Sequence, residues 1–179
     1  MSKGKGYPLL DGGALAVAAI VALFVAPVWA WLIRGPHDPH TSPPAFELLM
    51  LASAALLTLL LSLLQIIVHI RAFGGASVRS NRENYPEASG LAARVRRAHA
   101  NAVESLGPFA AIILATQSFG ITNRSTVGGA VLFLVARVVH AVGYSAAITI
   151  VRSAAFYAGV IGIIILAAQL PWSSMVPWR

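Results

Sequence analysis

The sequence predicts an all-α bundle of membrane-spanning helices, and two observations carry that prediction. Hydrophobic residues fill 58% of the 179 positions and charged residues only 11%, where a soluble domain carries about 25%. The apolar residues also gather into five stretches of roughly twenty residues each, the length a helix needs to cross a bilayer. Mean hydropathy is +0.76, and a chain of this length has room for one bundle and no sizeable soluble domain.

The first stretch covers residues 13–33. Lys3 and Lys5 precede it, but Val28-Trp29-Ala30 is a poor cleavage signal, so it reads as a retained helix rather than a signal peptide. The second stretch is 46–70 and the third 91–119. Pro27 and Pro108 are tolerable inside membrane helices as kinks. The fourth, 126–149, and the fifth, 151–170, are joined by a very short turn and predict an antiparallel hairpin. Ala154, Ala158 and Gly162 recur every four residues, a small-residue ladder expected at a close helix contact. Trp29, Trp31, Trp172 and Trp178 fall near span ends, where interfacial aromatics belong.

Charge sets the expected orientation. The net charge of +7 is assigned to a cytoplasmic loop and not to nucleic-acid binding. Lys3, Lys5 and the group Arg71, Arg79, Arg82, Arg94, Arg96 and Arg97 then lie inside. The N-terminus is cytoplasmic and the C-terminus outside. His37 and His40 sit in a Pro-rich outer turn without further ligands nearby, so no metal site is expected there. The chain has no cysteine, which excludes disulfides, thiolate metal sites and a cysteine nucleophile of its own.

Polar residues inside two of the spans carry the functional signal. Arg94, Arg97, Asn101 and Glu104 fall at i, i+3, i+7 and i+10 on one helical face, and Arg137, His140 and Tyr144 at i, i+3 and i+7 on another. An ionisable side chain at mid-membrane costs roughly 2.5–3.5 kcal/mol, so it persists where it is paired or lines a wet site. Counting about 1.5 Å per residue from the cytoplasmic ends puts Glu104 and Arg137 at matching depth, Tyr144 level with Arg97, and Arg152 at the rim. Glu104 with Arg137 alone reads equally well as an internal lock or as part of a site. The full set exceeds what a lock needs, and its surplus of arginine points to an anionic ligand, with Glu104 left for a ligand ammonium. His69 and His99 read as interfacial or packing residues.

These residues carry a resemblance. Asn81-Arg82-Glu83-Asn84-Tyr85-Pro86, then Arg97-Ala98-His99-Ala100-Asn101-x-x-Glu104 with Pro108-Phe109, then Arg137-x-x-His140-x-x-x-Tyr144 and Arg152 together resemble the MAPEG family, the membrane-associated proteins of eicosanoid and glutathione metabolism. The resemblance covers about residues 46–170 and implies a four-helix core, a homotrimer, and glutathione as co-substrate bound between protomers. It implies that Arg71, Arg97, Asn101, Glu104, Arg137, His140 and Tyr144 hold glutathione and that Arg152 stabilises its thiolate for attack on a lipophilic electrophile or hydroperoxide.

Two departures stand against it. Where members often carry a tyrosine early in the last helix, this chain has Phe156 followed by Tyr157, and Ser105 follows Glu104 where some members have tyrosine. An additional membrane helix within residues 1–45 precedes the core, and 171–179 form a tail; this arrangement is expected of a bacterial-type member in an inner membrane. The expected functions are therefore a glutathione transferase or peroxidase or, through the added helix, a non-catalytic accessory subunit of a larger membrane complex.

Overall fold

The computed structural model describes residues 44–79 and 87–172. The expected first helix, the Asn81–Pro86 motif and the histidines of the Pro-rich turn lie outside the described residues. Five helices follow in order: α1 (Pro44–Phe73), the short α2 (Gly75–Arg79), α3 (Gly90–Ser118), α4 (Arg124–Ser145) and α5 (Thr149–Ala167). No strand occurs among the described residues, and the all-α membrane architecture read from the sequence is what the chain adopts.

Three of these helices, α1, α4 and α5, are long and apolar enough to cross a membrane. α3 has the length, at 29 residues, but its first half holds Arg94, Arg96, Arg97, Asn101 and Glu104. It packs against all three of the others, as does α4, whereas the backbones of α1 and α5 make no close approach. The four long helices thus form a diamond with α3 and α4 on its short diagonal.

The helix ends are fixed by local chemistry. Asn123 caps α4 by accepting from the Ser125 and Thr126 amides, and Thr126 Oγ1 accepts from the Asn123 amide, a reciprocal box that satisfies open donors. α3 ends in a Schellman turn: Ile121 N–H donates to Thr116 O, Gly120 N–H donates to Gln117 O, and Gly120 takes φ 64°. α4 ends in the same motif, with Ile148 N–H on Gly143 O and Ala147 N–H on Tyr144 O. The left-handed position there is Ala147, at φ 62°. This turn stops α4 at Ser145, four residues short of the expected end at Thr149, because the 6→1 and 5→2 bonds close the last carbonyls.

Two apolar clusters fill the bundle. One joins Leu57, Leu61 and Leu64 of α1 to Val95 of α3 and Val138 of α4; the other joins Met50 of α1 to Phe109, Phe133 and Leu166. Phe109 and Phe133 stack at 3.8 Å between centroids. In lipid such contacts work by close packing rather than by water exclusion. The closest approach is between α4 and α5, where a Cβ on Gly129 would stand 2.9 Å from Gly162 O. The small residues buried along α5 are Ala155, Gly159 and Gly162, while Ala154 is exposed. The expected ladder of Ala154, Ala158 and Gly162 is thus out of phase: the contact follows i, i+4, i+7, not a strict period of four.

A polar knot ties one end of the bundle. Glu47 of α1 is fully buried, and Thr126 Oγ1 donates to its Oε1 at 2.5 Å. Asn123 Nδ2 donates to Gln169 Oε1 at 3.1 Å, drawing the end of α5 to the start of α4. At the opposite end, Arg94 Nε donates to Ser145 O at 3.0 Å, covering a terminal carbonyl of α4 where a cation is favoured.

Candidate functional site

Between the two apolar clusters the bundle turns polar. Arg137 leaves α4 and is almost wholly buried, at 5% exposure. Its Nη1 donates to Asn101 Oδ1 of α3 at 2.7 Å. Its Nη2 donates to two carbonyls of α5, Phe156 O at 3.1 Å and Ala155 O at 3.3 Å. The guanidinium carbon stands 5.5 Å from the Phe133 ring centroid and 5.7 Å from that of Phe156, within cation–π range. Three acceptors and two aromatic rings therefore compensate a charge that lipid alone would reject. Nε is buried and has no hydrogen-bond partner.

Arg137 forms one wall of a cavity of about 270 Å³ between α3 and α5. Asn101, Glu104 and Ser105 supply its polar side, and Pro108, Phe133, Val160 and Ile163 its apolar side. Ser105 Oγ donates back to Asn101 O at 2.8 Å, which steadies that turn of α3. Pro108 has no amide to cover the Glu104 carbonyl four residues earlier, so the backbone is left open beside the cavity.

A second cluster adjoins the first through Phe156. The His140 ring lies 6.3 Å from Phe156 and 5.4 Å from Tyr144, and the Arg152 guanidinium carbon sits 4.8 Å from the Tyr144 ring centroid. Aromatic and cationic groups run without a break from Arg137 through Phe156, His140 and Tyr144 to Arg152. Arg152 is placed there by the α4–α5 turn, where Gly143 lets the Arg152 backbone approach: a Cβ at 143 would be 3.0 Å from Arg152 N.

The structure therefore brings Asn101, Glu104 and Arg137 to one cavity and His140, Tyr144 and Arg152 to its flank. It does not join Glu104 to Arg137. Glu104 is exposed on the single protomer, and no ion pair links the two among the described residues; Asn101, one turn earlier, takes the contact instead. Arg71 and Arg97 are exposed, and neither makes a hydrogen bond or ion pair with another expected site residue among those described. Sequence reasoning missed Phe133 and Gly159. Phe133 carried a usable signal, lying four residues before Arg137 on the same face. Gly159 carried none, since its role depends on which residue of α4 it meets.

A comparison with curated proteins finds no match. The model of the MAPEG family matches residues 48–172, which takes in α3, α4, α5, all of α1 beyond its first turn and every polar residue just described. The chain belongs to the MAPEG family.

Proposed function

We propose that the protein is a membrane-embedded glutathione-dependent transferase or peroxidase acting on lipophilic electrophiles. The observation that carries the reading is the Arg137 site: a buried guanidinium oriented by Asn101, with Glu104 on the same cavity wall. Glutathione is a tripeptide with two carboxylates and one ammonium. A surplus of arginine beside one glutamate suits that charge pattern, and Arg137 Nε, buried and without a hydrogen-bond partner in the protomer, leaves that guanidinium one unmet donor. The residues present fit the group.

When bound, glutathione supplies the thiol that this cysteine-free chain lacks. Arg137 and Asn101 would hold a carboxylate, Glu104 the ammonium, and Arg97 and Arg71 the outer part of the ligand. His140 packs against both Phe156 and Tyr144, and the row shapes the approach from the cavity to Arg152. A cation near a thiol lowers its pKa from about 8.5 and raises its nucleophilic fraction, which is the role proposed for Arg152. The apolar wall of Pro108, Val160 and Ile163 offers the lipophilic partner a surface continuous with the bilayer.

Glu104, Arg97 and Arg71 are exposed on an isolated protomer although they belong to a bundle made for lipid. A homotrimer in which a neighbour covers them resolves that conflict. The same reading puts residues 46–170 in the family core, the added helix of residues 1–45 at its flank, and the Arg152 end of the bundle at the cytoplasmic side of a bacterial inner membrane.

The test is titration calorimetry of the purified full chain with glutathione, beside conjugation to a chlorodinitrobenzene. Heat of binding and conjugation above background are expected. Absence of both ends the proposal.

One observation favours a second reading. Phe156 places a bare ring against Arg137 and His140, where the resemblance leads one to expect a tyrosine hydroxyl nearby. A non-catalytic subunit of a larger membrane complex would retain the bundle without that hydroxyl. Native mass spectrometry in mild detergent separates the two: a homotrimer supports the enzyme, and a stoichiometric complex with another protein supports the subunit.

A further inference from the structure

We infer that Gly159 is a positioning residue for the site: the lack of a side chain at this one point of α5 seats the Arg137 guanidinium and fixes which of its N–H groups face the cavity. The inference deepens the glutathione reading and rests on it for its binding consequences.

The geometry is specific to this glycine. A Cβ built on Gly159 would overlap Arg137 Nη2 and stand 2.9 Å from both Cζ and Nε. The conflict reaches three atoms of the guanidinium group, Nη2, Cζ and Nε. Elsewhere in the bundle the tight glycines meet backbone: a Cβ on Gly162 would lie 2.8 Å from Gly129 O, and one on Gly129 would lie 2.9 Å from Gly162 O. Those two serve helix packing. Gly128 has nothing within 4 Å.

A flexible arginine normally swings away from an added methyl. Arg137 has nowhere to swing within its present contacts. Asn101 holds Nη1, the carbonyls of Ala155 and Phe156 hold Nη2, and the rings of Phe133 and Phe156 flank the plane. Those two carbonyls lie one turn before Gly159, so the open strip it leaves on α5 is what allows the guanidinium to reach them. With the Nη groups engaged, Nε remains the buried donor without a partner. Gly159 also lines the cavity, so the same vacancy that seats the cation shapes the space beside it. An alanine would force Arg137 off its three acceptors and into the cavity, blocking the site and misdirecting its charge.

The experiment compares Gly159→Ala, Arg137→Lys and the double variant, with Gly128→Ala as control, all in the full-length protein in detergent. The first readout needs no glutathione: the rate at which phenylglyoxal modifies Arg137, followed by peptide mass spectrometry. Gly159→Ala is expected to speed it roughly tenfold or more, since a buried group becomes accessible, while Gly128→Ala leaves it unchanged. The second readout is glutathione affinity. Gly159→Ala is expected to weaken it roughly tenfold, but to add little when Arg137 is already lysine, because the effect runs through the guanidinium. Unchanged labelling of Arg137, or losses that simply add, overturns the inference. If the single variant fails to fold, the double variant, freed of the clash, is expected to fold; failure of both also overturns it. Should the wild type bind no glutathione, the functional reading falls while the labelling result still decides the role of Gly159.

Discussion

Asn101 Oδ1 accepts from Arg137 Nη1 at 2.7 Å, and this single bond joins α3 to α4 at the level where the bundle core changes from apolar to polar. It makes Asn101 a structural partner of the cation as well as a candidate ligand contact. Asn101→Leu is expected to lower stability by about 1.5–3 kcal/mol, the range for a hydrogen bond to a charged group. Thermal unfolding in detergent measures it. Glu104→Gln is expected to leave the melting temperature of the monomer unchanged, because no ion pair depends on it, while weakening glutathione binding. A large drop in melting temperature for Glu104→Gln in the monomer would restore the lock that the sequence allowed.

Arg152→Ala is expected to remove the ultraviolet absorbance of bound glutathione thiolate while the fold persists, since Arg152 contacts Tyr144 only through its ring face. An undiminished signal would take the role away from Arg152.

Thr126→Val removes the hydroxyl that meets Glu47 and answers the Asn123 amide. Both partners are then short of a hydrogen bond, and Glu47 is fully buried. A loss of about 2–4 kcal/mol is expected, the combined cost of a stranded buried acceptor and a weakened cap. Circular dichroism against temperature checks it, with Ser125→Ala as a mild comparison.

Gly162→Ala presses a methyl to 2.8 Å from Gly129 O and 2.9 Å from Phe133 N, both backbone atoms that cannot rotate aside. α4 and α5 must part, at a cost of roughly 1–3 kcal/mol. Gly128→Ala meets open space and is expected to be neutral or to stabilise by up to about 1 kcal/mol through helix propensity. Equal melting temperatures for the two variants would contradict the close contact.

Ala147→Gly relieves a left-handed backbone position at φ 62°. The penalty removed is about 1–2 kcal/mol, partly offset by the greater freedom of glycine in the unfolded chain. A net gain of roughly 0.5 kcal/mol is expected, read as a small rise in melting temperature. Gly120→Ala, at the equivalent turn of α3, is expected to move it the other way.

Much of this was legible in the sequence. The runs of apolar residues gave four helices to within a few residues, and the spacing of Arg137, His140 and Tyr144 gave one face of α4. The partner of Arg137 was not legible. Depth was counted from assumed membrane ends, and α4 was carried through a turn that alanine, not glycine, occupies. Arg94 on Ser145 supplies the true register: Asn101 lies seven residues beyond Arg94 and Arg137 eight before Ser145, while Glu104 is ten beyond. The three-residue step from Asn101 to Glu104, about 4.5 Å along the helix, exchanged one partner for the other. The phase of the small residues on α5 failed for a similar reason, since Ala154 and Ala155 offer the same composition on different faces. Glu47 drew no reading from the sequence, because its burial depends on Thr126, 79 residues away.

The diamond arrangement distributes stiffness unevenly. α4 and α5 are clamped at Gly129 against Gly162 and again at Gly143 against Arg152, so they move as one rigid slab. The backbone of α1 makes no close approach to that of α5 and meets it only through side chains of the shared apolar cluster. Widening the cleft between α3 and α5 therefore loads the Asn101–Arg137 bond that borders it, which makes that bond a latch of the compartment.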